Sequence, residues 1–137
     1  METGNKILDL SKAYAIRIIR LYQFLNNEKR EYILSRQLLR SGTSIGANVR
    51  ESINAQSKLD FINKLNIALK ESNETEYWLE LLYETDYIEE NMFSSFITDN
   101  HNISGTLVNI IKTTKNNLNN KTLNPKIESE NGDDGAA

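Results

Sequence analysis

The sequence predicts an all-α fold, an antiparallel up-down-up-down four-helix bundle. Three observations carry this expectation. The single proline, Pro125, lies near the end of the 137-residue chain, so nothing before it forbids long helices. Apolar residues recur at three- and four-residue spacing over four long segments, with no alternating strand pattern and no Asn-Gly hairpin signal between them. The connections between these segments are short, which makes successive helices antiparallel neighbours.

The first helix is expected over residues 6–25, with Leu8, Ser11, Ala15, Ile18, Tyr22 and Leu25 inward and Asn26-Asn27 closing it. The second is expected over residues 28–53, with Leu34, Leu38, Ser41, Ile45 and Val49 inward. It contains the small-residue run Ser41-Gly42-Thr43-Ser44-Ile45-Gly46-Ala47. A glycine inside a helix costs roughly 1 kcal/mol against alanine. Two of them, one turn apart, imply that another backbone passes very close; a ligand groove lined by the same small residues is the alternative. The third helix is expected over residues 57–86, with Ser57 as N-cap and Asp60 as the shorter acid of a capping box. Its inner face is Phe61, Ile62, Leu65, Ala68, Leu69, Ser72, Leu79 and Tyr83. The fourth is expected over residues 89–118, with Phe93, Phe96, Ile97, Ile103, Leu107, Ile110 and Ile111 inward and a soft spot near Asn100-His101-Asn102. Residues 1–119 then form one bundle domain, and residues 120–137, polar and almost without apolar side chains, read as a disordered tail.

The absence of cysteine excludes disulfides and thiolate metal sites. No apolar run approaches the roughly 20 residues of a membrane span, and no basic-then-apolar leader opens the sequence. A soluble, cytoplasmic protein is expected. His101 is the only histidine, and Thr98 stands where a Glu-x-x-His di-iron motif would place its glutamate. There is no Gly-rich phosphate loop. The chain is therefore expected to have no catalytic residue, no metal, no cofactor and no small-molecule substrate. Periodicity puts Glu76 in the core stripe of the third helix, where a polar contact to a tyrosine or an arginine is expected. A general acid or base is the alternative there.

The net charge of -3 conceals a division. Residues 1–70 carry 12 Lys/Arg against 6 Asp/Glu, and residues 71–137 carry 4 against 13. On the second helix Lys29, Arg36, Arg40 and Arg50 fall within about 80° of one another, opposite the core stripe. On the first helix Arg17 and Arg20 cluster with Lys6. These side chains are candidates for phosphate contact, with arginine offering forked donors; a solvated face, or ion pairs to a neighbouring subunit, is the alternative. The third helix is apolar on a second side. There Ile67, Trp78 and Leu81 lie near Glu74 and are expected to form a subunit contact. The outer side of this helix, with Asp60, Glu71 and Glu74, is acidic. Basic and acidic outer sides can pair head to tail between copies and close a homo-oligomeric ring.

Gln37-Leu38-Leu39-Arg40-Ser41, then Ser44-Ile45 with Asn48 and Glu51, then Ser72-Asn73-Glu74-Thr75-Glu76-Tyr77-Trp78-Leu79-Glu80-Leu81-Leu82 resemble a bacterial four-helix-bundle family. That family includes proteins encoded in intervening sequences of 23S rRNA genes and the accessory variability protein of diversity-generating retroelements. The resemblance covers residues 7–115. Where the family commonly has Glu-Gly, this chain has Glu51-Ser52, and it is mildly acidic where the retroelement member is strongly basic. The resemblance implies a homopentameric ring of bundles and no known enzymatic activity. It also implies a scaffold or adaptor role with RNA or a nucleic-acid-associated protein. A purely structural protein-interaction module is the other reading.

Overall fold

A computed structural model describes residues 5–123 and places them in α1 (Lys6–Asn27), α2 (Leu34–Ile53), α3 (Lys58–Glu84) and α4 (Glu90–Leu123). α1 packs on α2, α2 on α3 and α3 on α4, and α4 closes back onto α1 over a narrower seam. No diagonal pair of helices brings its Cα atoms within 8 Å among the described residues, so the layout is a four-cornered, up-down-up-down bundle. Its core is a column of fully buried aliphatic side chains, including Ile18, Leu25, Leu38, Ile45, Leu65, Leu79, Leu82 and Leu107.

α1 starts at an N-cap, where the Asn5 side chain accepts from the Leu8 amide at 3.1 Å. Its inner face is turned from the expected one. Ile7, Tyr14 and Leu21 are buried, while Leu8, Ala15 and Tyr22 lie on the flank. The turn lets the Tyr14 hydroxyl donate to the Phe96 carbonyl of α4 at 3.0 Å. Burial pushes the Tyr14 phenol far above its ordinary pKa, and the nearby Asp99 acts in the same direction.

α2 begins six residues later than the periodicity implies. The chain must reverse after α1, and Arg30 adopts a left-handed conformation (φ 55°) to do so. Glu31 then supplies what the helix end lacks. Its carboxylate accepts from the backbone amides of Ile33 (3.1 Å), Leu34 (2.9 Å) and Ser35 (2.7 Å), and the Ser35 hydroxyl returns a bond to the Glu31 carbonyl at 2.8 Å. A carboxylate there satisfies orphan donors and favours the helix dipole. Lys29 is therefore a loop residue, not part of the α2 stripe. Its ammonium lies 5.9 Å from the centre of the Phe24 ring.

The small-residue run packs helices together. A Cβ on Gly42 would stand 2.8 Å from both γ carbons of Ile18, and one on Gly46 would stand 3.3 Å from the Ser11 carbonyl oxygen. α2 ends at Ile53, two residues past Glu51, and the Ser52 hydroxyl turns back to the Val49 carbonyl at 2.6 Å.

α3 opens on Ser57 as expected, its hydroxyl accepting from the Asp60 amide at 3.0 Å. The Asp60 carboxylate reaches one residue further back, to the Gln56 amide at 3.3 Å. α4 runs unbroken through Asn100-His101-Asn102, contrary to the expected soft spot. Asn100 is buried there, accepting from the Ser72 hydroxyl at 2.8 Å and donating to the Ser72 carbonyl at 3.0 Å. With both ends of its amide satisfied, the buried asparagine needs no break in the helix. The Thr75 hydroxyl bonds the Ser41 hydroxyl at 2.9 Å across the α2–α3 seam. α4 also passes the expected domain end at residue 119 and reaches Leu123. The remainder of the expected tail, residues 124–137, lies outside the described residues.

Asn100→Ala should cost about 1–3 kcal/mol in chemical denaturation, because the Ser72 hydroxyl and carbonyl both lose a buried partner. Ser72→Ala should cost less, since the Asn100 amide keeps its bond to the backbone. Equal costs for the two would contradict this geometry.

Candidate nucleic-acid interface

The cations singled out in the sequence meet different fates, and Lys6 stays exposed at the start of α1. Arg17 leaves the outer face and rivets α1 to α4. Its guanidinium donates to Asp99 at 2.7 Å and to Ser95 at 3.0 Å, and lies 4.0 Å from the centre of the Phe96 ring. Arg40 turns to α3, where it bonds Glu74 and donates to Glu71 at 3.4 Å. Glu74 also accepts from the Trp78 indole at 3.0 Å. The bond to Glu74 holds Arg40 above its ordinary pKa. The same bond, with that from Trp78, holds the Glu74 carboxyl below the usual carboxylate range. The basic and acidic sides expected to pair between copies are thus joined at this point within one chain. Lys64 and Glu51, 3.1 Å apart, make a second tie across the α2–α3 seam. Arg20, Lys29, Arg36 and Arg50 remain exposed, and of these only Arg20 bonds a neighbouring side chain, Gln23, at 3.5 Å.

Arg50 is not isolated. It shares a shallow groove of about 190 Å³ with Lys12, between Leu8, Ser11 and Ala15 of α1 and Thr43, Gly46 and Ala47 of α2. The groove is shallow because Gly46 admits the α1 backbone. Neither Lys12 nor Arg50 has an acidic partner among the described residues. Ile16 (49 % exposed) and Ile19 (38 % exposed) continue the open side of α1 beyond Lys12. Sequence reasoning missed Lys12. Its position one turn after Leu8, together with the close approach implied by Gly42 and Gly46, was the available signal.

On the other side of the bundle α3 presents the second apolar stripe. Ile67 is 41 % exposed and Tyr77 52 %, Leu81 is half-buried, and Trp78 leans back onto the core with its ring 5.1 Å from that of Tyr77. Tyr77 was not foreseen. Glu76 is not in the core. The buried series of α3 runs through Ser72, Thr75 and Leu79, and Glu76 falls beside it toward α4, half-buried. Its partner is neither tyrosine nor arginine but His101, whose Nε2 lies 3.0 Å from Glu76 Oε1.

The description "23S rRNA-intervening sequence protein" fits residues 4–109 of this chain. The chain belongs to that family. It is also similar to a solved structure from Bacteroides thetaiotaomicron, a protein of unknown function from the S23 ribosomal protein family. The two share 57% identity and a TM-score of 0.77, over 77% of this chain and 95% of that one. No curated protein matches the chain. The matched residues hold both the α1/α2 groove and the α3 stripe. No described helix is long and apolar enough to cross a membrane, and no three His, Cys, Asp or Glu side chains among the described residues are placed to hold a metal.

The lowered pKa of Glu74 has a pH signature. Its contribution to stability is present above the ordinary carboxylate pKa and is lost as pH falls through the lowered value. Urea unfolding at pH 7 and pH 3 should show a smaller acid loss for Glu74→Gln than for wild type. At pH 7 the variant should be weaker by less than about 1 kcal/mol, because the tie is partly exposed. The same acid loss in both proteins would contradict the tie.

Proposed function

We propose that this protein is a non-catalytic, cytoplasmic scaffold that assembles into a homo-oligomeric ring, a pentamer, and presents the cationic α1/α2 face to RNA. The observation that carries the reading is the pairing of Lys12 with Arg50 in one groove, both without acidic partners among the described residues. Arg36 and Arg20 extend the same charge along the exposed sides of the two helices. A groove floored by Gly46, Ala47 and Ala15 admits a sugar-phosphate backbone closely, and cations without partners release bound counterions on phosphate contact. No aromatic side chain lines this groove, so binding without strong sequence preference is expected. Assembly is assigned to the opposite side, through Ile67, Tyr77, Trp78 and Leu81, with Glu74 at the margin.

One observation favours a second reading, a protein-interaction module with no nucleic-acid role. Arg17 and Arg40 are already committed to internal ties, which weakens the basic stripe. A salt titration separates the two. Affinity for poly(U) RNA, followed by fluorescence anisotropy, should fall by at least about tenfold between 50 and 200 mM NaCl if several phosphates are contacted. The triple variant Lys12→Gln, Arg36→Gln, Arg50→Gln should lose most of the binding while keeping its unfolding midpoint. Absence of binding by wild type at 50 mM NaCl would leave the second reading. In sedimentation, wild type should run as an oligomer and Ile67→Glu with Leu81→Glu as a monomer.

A further inference from the structure

We propose that the acidic segment after α4, residues 128–134, reaches back along the bundle so that Asp133 and Asp134 dock on the α1/α2 groove and compete there with anionic ligands. The chain beyond residue 123 carries Lys126 against Glu128, Glu130, Asp133 and Asp134. Internal ties consume Arg17, Arg40 and Lys64, and they leave Lys12 and Arg50 as the two cations that face each other in a groove without an acid. The segment is thus complementary in sign to a basic recess whose charges are not met by an acid among the described residues.

Topology puts the two within reach. A cavity of about 410 Å³ at one end of the bundle is lined together by Lys6 and Ile7 of α1, Ser52 and Ile53 of α2, and Thr106 and Ile110 of α4. The start of α1, the end of α2 and the Thr106–Ile110 level of α4 therefore coincide. α4 continues 13 residues past Ile110 to Leu123, about 20 Å at 1.5 Å per residue. Arg50 lies three residues inside the end of α2, about 5 Å back, so the axial distance to it from Leu123 is about 25 Å. Adding the lateral step across the bundle, about 10–14 Å, gives roughly 30 Å. An extended chain from residue 124 to residue 134 spans about 36 Å. Glu130 comes near Lys6 on that path, and Asp133 and Asp134 can stand over Lys12 and Arg50. The span is close to the full length of the tether, so the effective concentration of the acids at the groove lies below the millimolar value of a slack linker. Exposed ion pairs are individually weak, so the docked state is partial, salt-sensitive and displaceable. That suits a competitor of a polyanion rather than a permanent lid.

Docking does not depend on the RNA reading; only the competition does. The test compares the full chain with a full-length variant carrying E128Q, E130Q, D133N and D134N. Backbone amide NMR at 25 mM NaCl should show differences confined to residues 8–15 and 43–50, and these should vanish at 500 mM NaCl. Poly(U) affinity at 25 mM NaCl should rise about threefold to tenfold in the variant, the factor by which a competent groove is freed. Unchanged groove amides would overturn the proposal, even if poly(U) affinity rose, because the acids would then act only as distant charge. Differences at Ile53 and Phe61 in place of the groove would overturn it in favour of the end cavity. Groove differences without poly(U) binding by either protein would uphold the docking and remove the RNA reading.

Discussion

The structure depends on the approach of α2 to α1 at Gly42 and Gly46. A single added carbon at position 42 would stand 2.8 Å from Ile18, a fully buried and branched side chain in a close-packed interior. The two glycines give up helix propensity, and in exchange Ile18 and Ser11 sit directly against the α2 backbone. Leu38, Ile45 and Val49 then share one buried cluster with Ile18 and Leu25. The same approach sets the surface. It lays Lys12 beside Arg50 and makes the recess between them shallow and small-walled. Core packing and the candidate binding face are two sides of one contact.

Around that contact, polar groups fix register where apolar packing would tolerate sliding. Ser41 with Thr75 and Ser72 with Asn100 tie α2, α3 and α4 inside the core, and Tyr14 ties α1 to the α4 backbone. Each is fully paired, so burial carries no orphaned donor at these points. The partly exposed ties repeat the pattern with charge: Arg17 to Asp99, Arg40 to Glu71 and Glu74, Lys64 to Glu51, and His101 to Glu76. The division of charge along the sequence is thereby partly neutralised within the fold. Among the cations that form no ion pair within the described residues, Lys12, Arg20, Arg36 and Arg50 share the exposed side of the α1/α2 pair.

The helices, their order and much of their inner faces were legible in the sequence, because strong 3.6-residue periodicity and a capped start such as Ser57 survive folding unchanged. The start of α2 was not. Helix-favouring residues such as Glu28, Lys29 and Arg30 continue the pattern, and only a three-dimensional reversal, with Glu31 folded onto the first turn, ends it. Asn100 looked like a weak point because a lone asparagine disfavours a helix, yet a partner on another helix reverses its meaning. Glu76 was misplaced by a single residue of phase, which over a 27-residue helix is enough to exchange it with Thr75. The basic stripe was visible as a set of residues, but which members stayed unpaired depended on what α3 and α4 bring against them. Lys12 became notable only because α1 lies so close to α2.

A double-mutant cycle at Gly42 and Ile18 tests the central contact most directly. Gly42→Ala in the wild-type background should lower stability despite the roughly 1 kcal/mol by which alanine favours a helix. In an Ile18→Ala background, where both obstructing γ carbons are gone, the same substitution should raise stability, giving a coupling above about 1 kcal/mol. Equal effects of Gly42→Ala in the two backgrounds would contradict the account.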